Sequence, residues 1–196
     1  MSNLANLKPA VERKSGHRPV SFDAQELRSL LRFDVESLRK NGFHPSLIEG
    51  LQVFNDRLEA MLGNPDASEY LSTLTAENTY TSSGIRVLSM TSIKEEIHEL
   101  EPGAILFRHG YLPIASSVGG NVVCLHVATN RVVWADHDSF GGEEISFQNR
   151  VTKKWEYVPW SPDNIEKTLV PLAPDLKSFL SDLLDDKLEP QLDKLD

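Results

Sequence analysis

The chain has 196 residues, 40% of them hydrophobic, 25% charged and 8% aromatic, the composition of an ordinary globular domain that can bury a core without metal or disulfide. Its 29 Asp and Glu against 20 Lys and Arg give a formal charge of -9, which repels phosphates and anionic lipid and argues against direct nucleic acid or membrane binding. The single cysteine, Cys124, cannot close an internal disulfide, and neither an apolar leader nor a run of ~18 apolar residues occurs, so a cytoplasmic protein is expected.

Residues 1–20 are polar, with Pro9, Gly16 and Pro19, and are expected to form a loose, flexible arm. From Ser21 and Asp23, the spacing of Leu27, Leu30, Leu31, Val35 and Leu38 predicts one amphipathic helix stopped by Asn41-Gly42. Ser46-Leu-Ile-Glu49 has the capping-box form and opens a second helix that carries Leu47, Leu51, Phe54, Leu58, Met61 and Leu62 up to Gly63-Asn64-Pro65. A short third helix is expected over 67–74. Ile85 to Met90 reads as a strand, followed by a short helix capped by Ser92-Ile-Lys-Glu95.

Beyond Pro102-Gly103 the apolar runs are short and β-rich, predicting strands at Ala104–Arg108, Leu112–Ala115, Asn121–Val127, Arg131–Asp136, Glu144–Phe147 and Trp155–Val158. Ala128-Thr129-Asn130 makes a tight connection in which Asn130 suits a left-handed conformation, so its flanking strands should form a hairpin. Pro174 precedes Leu176, Phe179, Leu180, Leu183 and Leu184, the clearest amphipathic helix in the chain. The order predicts an α+β fold: a mostly antiparallel sheet of about five to six strands, built from Ile85 to about Val158 and covered on one face by helices. The expected organisation is the arm 1–20, one domain 21–184 with an N-terminal helical extension, and an acidic tail 185–196 of sign opposite to the arm.

Few residues suggest chemistry. Asp136-His137-Asp138, with His126 and His109 near in sequence, offers imidazole and carboxylate, but in a strand His137 would point away from the two acids, so a polar strand end and turn is the plainer account. Gly119-Gly120-Asn121 lacks a Gly-Lys-Ser/Thr ending and precedes a strand, which fits a tight turn or close backbone approach rather than a phosphate loop. Cys124 sits in an apolar run and reads as buried; there is no Gly-x-Ser-x-Gly elbow and no His-Glu-x-x-His pair. No catalytic residue, metal set or cofactor loop is identified, and a non-enzymatic role is expected. Trp134, Trp155 and Trp160 could line a groove or pack inside.

The order of pieces from Ile85 onward resembles the SUKH superfamily, the Smi/Knr type of cell-wall-assembly-regulator domain. Val87-Leu88-Ser89-Met90 leads into Ser92-Ile93-Lys94-Glu95-Glu96-Ile97, then Gly110-Tyr111-Leu112-Pro113-Ile114-Ala115, Gly119-Gly120-Asn121 and the strand Val122 to Leu125. Arg131-Val132-Val133-Trp134 runs into Asp136-His137-Asp138, and Phe179-Leu180-x-x-Leu183 closes the match, which covers about residues 45–184. Where the family has a Leu-Pro helix ending in Asn-Gly-Gly, this chain has His44-Pro45 and Phe54-Asn55-Asp56. The resemblance implies a protein-binding module. It also implies that many bacterial members act as immunity proteins that neutralise polymorphic or contact-dependent toxins, while fungal ones are regulatory scaffolds of cell-wall signalling. The expected partner is a basic toxin domain such as a nuclease, which an acidic surface would attract. The expected contact surface is Trp134, Asp136, Asp138, Phe140, Glu143 and Glu144, a stretch combining acids, an aromatic and glycine freedom. A solvated hairpin connection is the plain alternative, and a small-molecule-binding protein or enzyme with a cleft near Trp134 and Asp136 the other.

Overall fold

A computed structural model describes residues 4–82, 84–117, 119–140, 142, 144–149 and 151–188. The fold is α+β, and its first half is helical: α1 (Lys8–Ser15), α2 (Ala24–Leu31), α3 (Val35–Lys40), α4 (Pro45–Leu62) and α5 (Pro65–Thr73). Strands β1 (Tyr80–Ser82) and β2 (Ile85–Val87) follow, then α6 (Met90–His98), α7 (Gly103–Arg108) and strands β3 (Tyr111–Ser116), β4 (Val122–His126) and β5 (Val132–Ala135). A hairpin of β6 (Ile145–Gln148) and β7 (Trp155–Val158) precedes α8 (Pro162–Thr168), β8 (Val170–Ala173) and α9 (Leu176–Leu184).

Six strands form one antiparallel sheet in the order β1-β2-β3-β4-β5-β8, and β6 and β7 pair separately. The expected span of the sheet is therefore corrected at its far end. Residues 145–158 lie outside it, and β8, unread because Pro171 interrupts the run, supplies an edge strand, the place where a proline costs no ladder bond. The β4–β5 hairpin forms as expected, with Asn130 at φ 60.

Both faces of the central strands are covered, not one. Leu112, Ile114, Val123, Leu125, Val132 and Trp134 join Phe54, Leu58, Leu71, Phe107, Phe179 and Leu180 in the main core. Tyr111, Val122, Cys124, Val133 and Ala135 join Leu106, Phe140, Ile145, Ile165 and Leu169 on the other side. Strands buried on both faces read as unbroken apolar runs, which is what Val122-Val-Cys-Leu125 and Val132-Val-Trp-Ala135 are.

Several local expectations give way to tertiary context. The 21–40 stretch breaks into two helices at Arg32-Phe33-Asp34. Asp23 caps the first through a true capping box with Glu26, and Asp34 caps the second by accepting from the Ser37 N–H at 2.9 Å. The caps expected at Ser46 and Ser92 lie earlier, at His44 and Ser89, with Pro45 at the first helical position. Ala104–Arg108 is helical, since a short apolar run does not by itself distinguish strand from helix.

The arm is the largest correction. Leu4 and Val11 are fully buried, a 3₁₀ turn at Leu4–Leu7 leads into α1, and Lys14 pairs with Asp186. The start of the tail is packed as well, with Leu188 in the core. The apolar residues at 4, 7 and 11 follow helical spacing, but α5, α9 and β1 supply what they bury against. No described helix is long and apolar enough to cross a membrane.

Candidate functional site

β5 ends at Ala135, and the chain turns through a 3₁₀ segment, His137–Ser139, held by local hydrogen bonds. Asp136 Oδ1 accepts from the Asp138 N–H at 3.0 Å, and the His137 N–H donates to Asn121 Oδ1 at 2.9 Å. Because this is a turn rather than a strand, His137 does join the acids: its Nε2 lies 3.0 Å from Asp138 Oδ1, and one ligand atom from each of Asp136, His137 and Asp138 lies within 4.8 Å of the others. The three are half-exposed or exposed, and the imidazole is engaged by Asp138 and Asn121. Gly120 takes φ +89, a conformation that glycine reaches freely, so the Gly119-Gly120 pair forms a turn beside His137.

His109 and His126 do not belong to this cluster. Val122 pairs with Ala135 and Leu125 with Val132, so His126 stands at the opposite end of β4 from Asp136. There Tyr111 stacks on His126 at 4.5 Å and donates to Glu166, which also pairs with Arg131. Burial works against the Glu166 charge, but the hydrogen bonds from Arg131 and Tyr111 prevail and hold its carboxyl below the ordinary value.

Among the expected contact residues, Asp136, Asp138 and Glu144 reach the surface. Trp134 is 4% exposed and faces the main core. Phe140, expected as an exposed aromatic anchor, is 1% exposed and packs on Trp160 at 5.8 Å, in the second core. Its neighbours in sequence are polar, but burial is decided by a residue twenty positions later. Glu143 lies outside the described residues.

The exposed aromatic residues stand instead on the β6–β7 hairpin. Trp155 is 55% and Tyr157 66% exposed, two positions apart and so on one face, opposite Gln148 and Ser146. The other face is anchored by Ile145, fully buried, with Val158 against the second core. Asn149 shapes the connection, its Oδ1 accepting from the Val151 and Thr152 N–H groups at 2.9 and 3.0 Å, and its Nδ2 donating to Glu156 at 2.6 Å. Lys153 and Lys154 lie exposed at the tip, and Ser146 ties the base to the turn by donating to the Asp138 carbonyl at 3.0 Å. The alternation Trp155-x-Tyr157 was legible as a strand but gave no sign of which face is covered.

Between the hairpin and β8 runs a cleft of about 510 Å³, lined by Trp134, Asp136, Phe147, Gln148, Lys167 and Thr168 among others. Cys124 is buried, and burial pushes its thiol well above the ordinary value, so it is not a poised nucleophile. In comparisons with protein-family models, curated proteins and solved structures, nothing matches the chain.

Proposed function

We propose that the chain is a non-enzymatic protein-binding module of the immunity type, acting in the cytoplasm by neutralising a toxin domain through the outer face of the β6–β7 hairpin. The observation that carries this reading is the pair Trp155 and Tyr157, both more than half exposed on one rigidly anchored face. Leaving two large aromatic rings in water is unfavourable by the apolar area involved, and tryptophan and tyrosine are the side chains that most often dominate binding energies. The resemblance to the SUKH superfamily supports the same class, and Asp136, Asp138 and Glu144 near the hairpin base suit a basic partner such as a nuclease.

The reading requires a toxin gene beside this one, and co-expression with that toxin's domain, scored by growth, is the test. Wild-type chain should rescue the cells, and Trp155→Ala with Tyr157→Ala should abolish rescue while keeping its melting temperature, each loss weakening binding by about 2 kcal/mol or more. Rescue by the double variant equal to wild type would refute the hairpin as the contact, and binding without rescue would favour a regulatory scaffold. The cleft beside Trp134 and Asp136 sustains a second reading, a small-molecule site, for which a stoichiometric ligand displaced by Lys167→Ala would be the mark.

A further inference from the structure

A second feature lies at the opposite end of β4. Residues of α4 and of the chain ends flanking β3 and β4 enclose a pocket of about 200 Å³ there, with Arg57, His109, Gly110 and His126 in its lining. Its size suits a small ion better than a cofactor, since ligand pockets for larger molecules start at about 300 Å³. In a chain where acids outnumber bases 29 to 20, the walls described here carry three basic side chains and no carboxylate. All three line the same pocket. Gly110 takes φ +89, a conformation open to glycine, and turns the chain from His109 into β3, while Arg57 Nη1 lies 3.9 Å from where a Cβ on Gly110 would stand. The His126 Nδ1 is held 2.8 Å from Thr129 Oγ1, and its ring is stacked on Tyr111.

We propose that this pocket binds a phosphate group, held by the Arg57 guanidinium with the His109 and His126 rings. Three donors from α4, α7's end and β4 suit a tetrahedral dianion, and arginine offers the fork geometry that phosphate oxygens accept. The protonation behaviour of the two rings agrees. Burial holds His109 below its ordinary value, with Arg57 and Arg108 adding repulsion. Burial also lowers His126, where the Glu166 carboxylate opposes the effect and Arg131 reinforces it. A bound dianion relieves that repulsion, so binding takes up protons on the rings; because phosphate itself protonates to its monoanion toward acid pH, affinity is greatest near a pH of about 6.5 and falls toward alkaline pH.

The experiment is titration of the full chain with inorganic phosphate, following the histidine ring signals by NMR. At a pH of about 6.5, where dianionic phosphate and protonated rings coexist, the His109 and His126 signals should shift saturably, with affinity falling about tenfold by a pH of about 8. Arg57→Gln, an exposed position whose replacement leaves the core intact, should weaken binding by about tenfold. Acetate at the same concentration should not compete. The absence of saturation, an unchanged affinity in Arg57→Gln, equal binding of acetate, or a shift of exposed His17 parallel to the other two would each overturn the proposal.

Discussion

Replacing Glu96 by glutamine should remove part of the protein's pH dependence. Glu96 lies on α6 at 7% exposure, and its Oε2 has no hydrogen-bond partner among the described residues. Gly103 is pressed so close that a Cβ there would stand 2.7 Å from Glu96 Oε2, which leaves little room for hydration. Burial pushes the carboxyl from its ordinary 4.5 up to about 7, with Arg86 opposing and Glu95 reinforcing the rise. Because the folded value is the higher one, the neutral acid favours folding. Its contribution is complete below a pH of about 4.5 and is lost as the pH climbs through about 7. At roughly 1.4 kcal/mol per pH unit, the ionised carboxylate costs the folded state about 3 kcal/mol above that range. Glu96→Gln cannot ionise, so urea denaturation should find it more stable than wild type by up to about 3 kcal/mol at a pH of about 8, and close to wild type at a pH of about 5. Parallel pH profiles for the two proteins would refute the argument.

Two further outcomes test the packing. Leu180→Ala, at a site 2% exposed between α9 and the sheet, should lose about 2 to 5 kcal/mol in chemical denaturation, and an unchanged midpoint would remove α9 from the core. Asn64→Ala should lose about 1 to 3 kcal/mol. It removes the α5 cap, which accepts from the Ala67 N–H at 2.9 Å, and the donors to the Val127 carbonyl and Asn130 at 2.7 and 2.9 Å that tie the β4–β5 turn to the start of α5. Faster hydrogen exchange at 127–130 in that variant would localise the loss.

How much the sequence disclosed depends on whether a residue's partner is near in the chain. The offsets of Leu176, Phe179, Leu180, Leu183 and Leu184 identify a helix and its buried side together, and all five are buried. The Ala128-Thr129-Asn130 turn likewise carries its own geometry. Leu4 and Val11 are different: their helical spacing is diluted by charges, and their burial depends on elements as distant as α9. The candidate site was legible to the same degree. The acids Asp136 and Asp138 were placed at a sheet end from sequence alone, but Phe140 is captured by Trp160 and His137 is rotated into the cluster by a 3₁₀ turn. For Trp155 and Tyr157, a period of two names a face without saying whether the core or the solvent receives it.

β5 and β8 are neighbours in the sheet, although residues 136–169 separate them in the chain. Everything in that excursion is therefore removable from the point of view of strand order. It is attached by inward side chains, Phe140, Ile145, Ile165 and Leu169, which pack on one side of the sheet, and by polar ties from Glu166 to Tyr111 and Arg131 and from His137 to Asn121. The outward residues Ser146, Gln148, Trp155 and Tyr157 pair with each other and not with the main sheet. Substitutions among them touch no ladder bond of the six-stranded sheet, so the face they form is uncoupled from the register of that sheet.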